Sequence, residues 1–280
     1  MFVCFSLTLI IYIMHKLKSL LRDALPIRYQ VPIKYFYALF LGAKEPEMDL
    51  LEYLISDDGR AIDVGANRGI YSYIISKYKC KLEIFEPNPD CLKLLEAWSS
   101  NYSNISIHPC GLSSRDGQAN LHIPIDENGM EHDASASLQQ NLFDNSRNQK
   151  IYIKHLDGFN FDKISFIKID VEGHEIDVIN GGLKTIQANM PALLIEIEQR
   201  HNSQNIESIF QMILDLGYKG FFIKNNKLNR IETFNLQEDQ SSENFGNLNL
   251  YRNNFLFLCH DKIDKGTYKT LFDQRLCRDL

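Results

Sequence analysis

The 280-residue sequence predicts an α/β fold with a mostly parallel sheet. From residue 61 onward, short apolar runs alternate with helical patterns, which is typical of βαβ units. Two further strand-like runs interrupt this alternation before the fourth strand, and they predict an inserted β-hairpin. The seven runs assigned to the main sheet are RAIDV, KLEIF, ISIH, SFIKIDV, ALLIEIE, YKGFFI and NFLFLCH.

Composition excludes several classes of protein. With 44% hydrophobic and 24% charged residues, the chain is neither disordered nor a small disulfide scaffold. A formal charge of −6 without a basic block argues against nucleic acid as a partner. The six cysteines show no C-x-x-C pair and no metal-ligand spacing, which favours a reducing, cytoplasmic location.

The first 14 residues, MFVCFSLTLIIYIM, carry no charge. A helix of this length spans about 21 Å, short of the roughly 30 Å hydrocarbon core, and no signal-peptide features surround it. Three interpretations stay open: weak membrane association through residues 1–14, packing of this segment on the domain as an N-terminal helix, or an unstructured extension. We divide the chain into an extension (1–43), the main domain (44–260) and a tail (261–280).

The predicted hairpin consists of QANLHIPI (118–125) and QKIYIKHL (149–156). The polar segment between them, residues 126–148, carries side chains suited to recognising hydroxyl groups, although a plain connector would have a similar composition. A second polar segment, residues 225–254, is rich in Asn and predicts a long connection between the last two strands.

The strongest local signal is the turn AIDVGANRGIYS, residues 61–72, between the first strand and a helix. Glycines at such a turn allow a cofactor to approach the backbone and the helix N-terminus. The spacing is G-x-x-x-G, not the dinucleotide spacing, and Asp63 would repel a pyrophosphate but attract the amino group of S-adenosylmethionine. The candidate cofactor-binding residues here are Asp63, Gly65, Asn67 and Gly69; alternatively, the glycines serve backbone conformation alone.

Glu86 ends the second strand in IFEPNP, where Pro87 and Pro89 stop it. A carboxylate at this position can accept hydrogen bonds from both ribose hydroxyls of a nucleoside. Glu86 is therefore the fifth candidate cofactor-binding residue. The alternative is that Glu86 is a solvated surface residue.

The chain resembles the FkbM-type family of S-adenosylmethionine-dependent methyltransferases. The matching motifs are KEPEMDLLEYLI, AIDVGANRGIYS, IFEPNP, ASASL, HLDGF, FIKIDVEGHEIDVINGG and PALLIEIE, between residues 44 and 198. The resemblance implies a class I methyltransferase, Rossmann-like fold with a seven-stranded sheet, only the last strand being antiparallel. It also implies transfer to a hydroxyl oxygen of a sugar, glycolipid or polyketide.

The fourth strand, SFIKIDV, places Lys168 and Asp170 on one face. A buried ammonium needs a partner, and Glu196 on the next strand is the expected one. Asp170 ends its strand at the carboxyl edge of the sheet, where ligands of open α/β folds bind.

Asp170, Glu172 and His174 are the candidate catalytic residues. A base must remove the acceptor proton, and His174, with an unperturbed pKa near 6.5, suits that role. Two alternatives remain: Asp170 is the base, or His174 is a surface residue without a catalytic role. No metal site is predicted, although Asp170, Glu172, Glu196, Glu198 and His201 could supply ligands to a divalent cation.

Together these features predict an O-methyltransferase that uses S-adenosylmethionine on a hydroxyl of a sugar, glycan or glycolipid. The alternatives are a polyketide or other small-molecule acceptor, and a non-catalytic module that only binds the cofactor. An NAD-linked oxidoreductase would require the dinucleotide spacing, which this turn lacks.

Overall fold

A computed structural model describes residues 25–126, 136–139 and 145–275. Two β-sheets dominate these ranges, one of eight strands and one of three. The strands are β1 (Arg60–Val64), β2 (Lys81–Phe85), β3 (Ile105–His108), β4 (Gly111–Leu112), β5 (Gly117–Pro124), β6 (Ser146–Lys154), β7 (Ile164–Ile169), β8 (Ala192–Glu196), β9 (Tyr218–Lys224), β10 (Lys227–Arg230) and β11 (Asn254–Cys259).

The large sheet has the strand order β10-β9-β11-β8-β7-β1-β2-β3. Its centre is parallel: β1 pairs in parallel with β2 and β7, and β7 pairs in parallel with β8. Strand β11 lies antiparallel between β8 and β9. This arrangement confirms the predicted α/β class and its mostly parallel sheet.

The prediction of seven strands and one long connection is wrong at residues 225–254. Strand β10 forms an eighth, antiparallel edge strand beside β9. The chain reverses at Asn225 and Asn226, whose φ angles are +55° and +60°. Asparagine tolerates this left-handed conformation, and two such residues in succession make a two-residue hairpin turn.

Both faces of the large sheet are buried. Ala61 and Phe166 belong to the core on one face, whereas Ile62 and Ile167 belong to the core on the other. Alternation with period two therefore distributes each apolar run over two separate cores, which is why these runs are apolar throughout.

Helices cover both faces of the sheet. The α-helices are α1 (Gln30–Phe40), α2 (Leu51–Leu54), α3 (Ile70–Ile75), α4 (Pro89–Ser99), α5 (Glu175–Gly181), α6 (Leu183–Asn189), α7 (Glu207–Asp215), α8 (Leu236–Asp239), α9 (His260–Asp264) and α10 (Lys269–Arg275). Short 3₁₀ helices span Ile27–Tyr29, Pro46–Leu50, Leu156–Phe159, Gln199–His201, Ile231–Thr233 and Ser242–Asn244.

Both flanks of the proposed domain contribute to one core. Val31 of α1 is 1% exposed, and Tyr268 and Leu271 near the C-terminus are 4% and 0% exposed. All three belong to the same buried cluster. Residues 1–14 lie outside the described residues, and among the described ones no helix is long and apolar enough to cross a membrane.

The predicted hairpin is confirmed as the antiparallel pair β5–β6, which β4 extends to a three-stranded sheet. Its own small core contains Leu121, Ile123, Ile151 and Ile153. Of the polar segment 126–148, residues 127–135 and 140–144 lie outside the described residues. Strand β6 begins at Ser146, so the end of that segment is strand and not loop.

Candidate active site

A cavity of about 340 Å³ lies at the carboxyl ends of β1, β2, β7 and β8. Such an edge is where open α/β sheets bind ligands, because the loops that follow parallel strands converge there. Helix α1 and the three-stranded sheet also contribute to its wall. The lining residues are Lys34, Glu45, Asp63, Val64, Gly65, Ala66, Asn67, Arg68, Ile70, Tyr71, Phe85, Glu86, Pro87, Gly111, Leu112, Leu121, Ala136, Leu138, Lys168, Asp170, Val171, Glu172, His174 and Glu196.

The turn after β1 is held tightly between β2 and β7. The backbone N–H of Gly65 donates to the carbonyl of Phe85 at 2.9 Å. Gly65 has φ of +76°, and a Cβ at this position would overlap the carbonyl oxygen of Asp170. Only glycine fits here, since both the backbone conformation and the available space exclude a side chain.

Glu86 ties the same turn to the end of β2. Its Oε2 accepts from the backbone N–H of Asn67 at 2.6 Å, and its Oε1 accepts from that of Asn88 at 2.7 Å. Glu86 is 5% exposed and lines the cavity. Carboxylate oxygens accept hydrogen bonds from hydroxyls, which is the contact that a ribose would make here.

Asp63 lies buried at the base of the cavity, where it accepts a hydrogen bond from Ser72 Oγ at 2.5 Å. Burial raises the pKa of Asp63 to about 6, because the charged form loses hydration. A cation placed nearby would restore full ionisation.

Gly69 does not line the cavity. With φ of +78°, it begins α3, and a Cβ there would meet Leu95 Cδ2 at 2.7 Å and Val31 Cγ1 at 3.1 Å. The structure therefore brings Asp63, Gly65, Asn67 and Glu86 together at the cavity, and gives Gly69 a role in helix packing.

The buried ammonium of Lys168 also lies at the cavity, on β7 next to Asp63 of β1. Its Nζ donates to Asn254 Oδ1 at 3.1 Å, and it lies 3.6 Å from Asp170 Oδ2 and 4.0 Å from Glu196 Oε2. Burial alone would lower the pKa of Lys168, but the charges of Asp170 and Glu196 outweigh it and raise that pKa. The predicted Lys168–Glu196 pair is confirmed, with Asn254 and Asp170 as closer partners.

Glu172 forms a buried pair with His201, whose Nδ1 lies 2.6 Å from Glu172 Oε2. The two side chains are 11% and 6% exposed. Burial, followed by the charge of Asp170, raises the pKa of Glu172 despite its contact with His201. The insertion also fixes this loop, since Ser137 Oγ donates to the carbonyl of Glu172 at 2.6 Å.

His174 lies at the start of α5 and lines the cavity. Its Nε2 is 3.0 Å from Ser113 Oγ, and its Nδ1 is 3.5 Å from Asp177 Oδ2. Burial lowers the pKa of His174, so the neutral imidazole is favoured. The three predicted catalytic residues, Asp170, Glu172 and His174, therefore line one cavity.

Sequence reasoning missed a polar cluster from the N-terminal side of the domain. Tyr71 Oη donates to Glu45 Oε2 at 2.6 Å, and Asn254 Nδ2 donates to the same oxygen at 3.1 Å. The motif KEPEMDL contains Glu45, but nothing in its spacing indicates that this carboxylate reaches the cavity.

Only three of the five residues that could bind a divalent cation lie together as one group in the structure. Asp170, Glu172 and Glu196 each offer one oxygen within 4.8 Å of the others. Glu198 instead contacts Arg200 and Tyr251. The Lys168 ammonium already lies beside two of the three carboxylates and balances part of their charge.

The cavity wall is predominantly acidic. Three cationic side chains, Lys34, Arg68 and Lys168, face six carboxylates among the described lining residues. The six are Glu45, Asp63, Glu86, Asp170, Glu172 and Glu196. Such a wall favours a positively charged ligand.

The sequence model of a protein family, described as the methyltransferase FkbM domain, matches residues 63–219, which is more than half of the chain. The chain belongs to the FkbM methyltransferase family. Membership confirms the predicted methyltransferase class and its cofactor, S-adenosylmethionine, and excludes the NAD-linked alternative. The cavity fits this cofactor, because the acidic wall suits a cation and Glu86 lines it with a carboxylate that can accept from ribose hydroxyls.

Individual relatives are distant. The chain is 27% identical over 194 residues to the hexuronic acid methyltransferase AglP of Haloferax volcanii, covering 67% of this chain and 75% of that protein. It is 27% identical to methyltransferase 1 of Beauveria bassiana over 151 residues, covering 45% of this chain and 59% of that protein. A crystal structure of methyltransferase FkbM from Methylobacillus flagellatus aligns with a TM-score of 0.49 and 17% identity, over 85% of this chain and 57% of the other.

Proposed function

We propose that this FkbM methyltransferase transfers a methyl group to an oxygen atom, most specifically a hydroxyl of a sugar, glycan or glycolipid. The observation that carries the proposal is the mixed lining of the cavity. It includes the carboxylates Asp170, Glu172 and Glu196 together with the apolar side chains of Leu121 and Leu138. Carboxylates accept hydrogen bonds from hydroxyls, while an apolar wall covers the C–H face of a sugar ring.

The cofactor would be held where β1 and β2 end. Glu86 would accept from the ribose hydroxyls, Asp63 would neutralise the amino group, and the backbone of Gly65 would lie against the methionine chain. When bound, S-adenosylmethionine supplies an electrophilic methyl group on a cationic sulfur.

Glu172 is the best-placed base for the acceptor proton. A carboxylate whose pKa is raised by burial holds a proton more strongly than an exposed one, which favours general-base catalysis. His201 Nδ1 orients the Glu172 carboxylate from behind. Asp170 is less suited to this role because its Oδ2 already lies 3.6 Å from the Lys168 ammonium.

His174 then acts as an orienting group or as the rival base. Its Nε2 already contacts Ser113 Oγ, so taking the proton on this nitrogen would require that contact to open. Glu172 would accept the acceptor proton on one oxygen while the acceptor oxygen bonds to the methyl carbon and the bond between that carbon and the cofactor sulfur breaks, leaving a neutral thioether. Release of the proton to solvent restores the carboxylate.

The name of the Haloferax relative, a hexuronic acid methyltransferase, supports a sugar acceptor. Polyketide and other small-molecule hydroxyls are the alternative acceptors. A module that binds the cofactor without catalysis is the remaining alternative, and the assembled cluster of Asp170, Glu172 and His174 disfavours it.

The test is a transfer assay with methyl-labelled cofactor against neutral sugars, uronic acids, glycolipids and polyketides. We expect label in a sugar fraction, stable to mild alkali because a methyl ether resists hydrolysis. Alkali-labile label would indicate a carboxyl ester and contradict the hydroxyl assignment, and label confined to polyketides would contradict the sugar assignment. Calorimetry with S-adenosylmethionine, followed by no transfer to any acceptor, would favour the binding module.

A further inference from the structure

Helix α1 has an exposed apolar face. Its sequence, QVPIKYFYALF, contains one charged residue, and Val31 packs against Gly69. Ile33, Phe36 and Phe40, spaced three and four residues apart on one side of the helix, are 39%, 56% and 86% exposed. A helix that is apolar all round normally has partners on every side.

Exposed apolar side chains are concentrated at this place. Of the twelve large hydrophobic side chains exposed among the described residues, eight lie between residues 27 and 41. We define the α1 patch by its six most prominent members. They are Ile27, Tyr29, Ile33, Phe36, Phe40 and Leu41. A contiguous apolar surface of this kind marks an interaction site on a folded protein.

The charge around the α1 patch is opposite to that of the whole protein. Described residues 25–44 contain Arg28, Lys34 and Lys44 and no carboxylate. Over residues 1–44 of the sequence, six basic residues stand against one acidic residue, a net charge of +5, whereas the whole chain carries −6. The remainder therefore carries −11. The sequence up to residue 44 is therefore basic and the rest acidic, and α1 belongs to the basic part.

We propose that the α1 patch docks on an anionic lipid bilayer, with α1 lying in the plane of the interface. Phenylalanine, tyrosine and leucine side chains insert at the boundary between headgroups and acyl chains, and flanking basic residues attract anionic lipid. With 11 residues, α1 is about 17 Å long, so it lies on the membrane and does not span it.

Charge also argues against a second copy as the occupant. A symmetric dimer through the α1 patch would place the positive charge of Arg28 from both copies in one interface with no carboxylate from residues 25–44, which is unfavourable. The acidic remainder of the protein would instead be repelled from an anionic bilayer, and this repulsion fixes the orientation. Residues 1–14, apolar and uncharged, precede the same positive segment.

Docking would bring the candidate active site close to the membrane. Lys34, on the same helix, lines the cavity. If the proposed function holds, this position suits an acceptor sugar attached to a lipid. The docking itself does not depend on methyl transfer and can be measured without it.

The test places a fluorescent probe in the α1 patch of the full chain. The only native tryptophan, Trp98, is 5% exposed and gives a constant background. Phe40→Trp is expected to shift its emission to the blue and to be quenched by acyl-chain bromines in phosphatidylcholine vesicles that contain phosphatidylglycerol. Tyr152→Trp is the matched control, since Tyr152 is 62% exposed on β6, and its emission should not change.

A second pair of variants measures the contribution of the patch to binding. Phe40→Ser combined with Leu41→Ser should reduce vesicle flotation by about tenfold or more, because two apolar side chains lose their burial. The control, Tyr152→Ser with Leu250→Ser, removes side chains of similar exposure and should float as the wild type does. Thermal unfolding of both double variants should match the wild type.

Three outcomes would overturn the proposal. The first is a wild-type protein that does not float with anionic vesicles. The second is flotation without quenching of the Phe40→Trp probe, which would assign binding to another segment such as residues 1–14. The third is a wild-type dimer by light scattering that the Phe40→Ser, Leu41→Ser variant converts to monomer, which would make the patch a contact between copies.

Discussion

The two ends of the cavity are held in different ways. At the cofactor end, Asp63, Asn67 and Glu86 are fixed by partners 2 to 19 residues away, mainly backbone N–H groups of the neighbouring turns. At the acceptor end, near partners such as Asp177 of His174 are joined by distant ones. Ser113 lies 61 residues from His174, and Asn254 lies 86 residues from Lys168.

This difference matches the two tasks of the site. A site for one invariant cofactor can be built into a local turn, whose geometry depends on a short stretch of chain. A site for a particular acceptor needs side chains from several loops, and these can change separately. The following predictions test whether the two ends are functionally as separate as they are structurally.

The largest effect is expected at the acceptor end. Glu172→Gln should lower turnover by roughly 10² to 10⁴, because it removes the proposed base while keeping its shape. Calorimetric affinity for S-adenosylmethionine should be unchanged. His201→Asn keeps a donor toward Glu172 and should retain more activity than His201→Leu. In His201→Leu, Glu172 loses a partner that stabilises its charged form, so its pKa rises further. The turnover of this variant should therefore increase only at higher pH.

Two comparison variants distinguish the candidate bases. If His174 takes the proton, His174→Ala will be the impaired variant and Glu172→Gln will retain most of its turnover. If Asp170 does, Asp170→Asn alone will show the large loss. Equal activity in the Glu172, His174 and Asp170 variants would indicate that none of these residues is the base. Catalysis would then depend on positioning of the substrates and exclusion of water.

The next effect is expected at the cofactor turn. Gly65→Ala should abolish detectable binding of S-adenosylmethionine, since its Cβ would displace the backbone at Asp170. Gly69→Ala is the matched control, as it has a similar φ but faces Leu95 and Val31. It should cost about 1 to 2 kcal/mol of unfolding free energy and still bind the cofactor. Binding by Gly65→Ala with normal affinity would refute the close approach at this turn.

Glu86→Ala should weaken cofactor binding by about 1.5 to 3 kcal/mol, or one to two orders of magnitude, because a charge-assisted acceptor is lost. Turnover at saturating cofactor should be close to normal. Glu83 serves as the control: it is buried on the same strand, pairs with Arg60 and His108, and does not line the cavity. Glu83→Ala should lower stability without lowering affinity.

Buried acids at the cavity and at the start of α5 make stability depend on pH. Burial raises the pKa of Asp63 to about 6 and that of Glu175, beside Gly173, to about 7. The folded state therefore holds more protons than the unfolded state between about pH 4 and 7, so stability falls as pH rises through this window. Below it, both states are protonated and the effect vanishes.

Denaturant unfolding between pH 4.5 and 8 measures this dependence. Glu175→Gln should remove about 3 kcal/mol of the decline. Asp63→Asn should remove the part of the decline that occurs at lower pH, because the pKa of Asp63 is lower than that of Glu175. A decline of unchanged size in both variants would show that other groups cause it.

The smallest effect is expected from chelation. Lys168 already lies near Asp170 and Glu196, so we expect turnover to be the same after treatment with EDTA and after addition of Mg²⁺. Loss of activity with EDTA and its recovery with a divalent cation would instead assign Asp170, Glu172 and Glu196 to a metal.

Sequence alone determined the parallel sheet, the turn of Asp63, Gly65 and Asn67, and the position of Glu86 at the end of β2. These features follow from the period of apolar residues and from contacts between neighbouring segments, so a short stretch of sequence contains their physical cause. The family motifs supplied the catalytic class for the same reason, since they coincide with these turns.

Tertiary structure decided which distant side chains meet. No spacing in the sequence indicates that His201 lies behind Glu172, that Tyr71 reaches Glu45, or that Gly69 faces a helix and not the cavity. Nor does the pattern of α1 reveal that one apolar face packs on the domain while the other is exposed. These facts depend on where loops and helices far apart in the chain come to lie after folding, and that position is set by the packing of the whole molecule, not by any local segment.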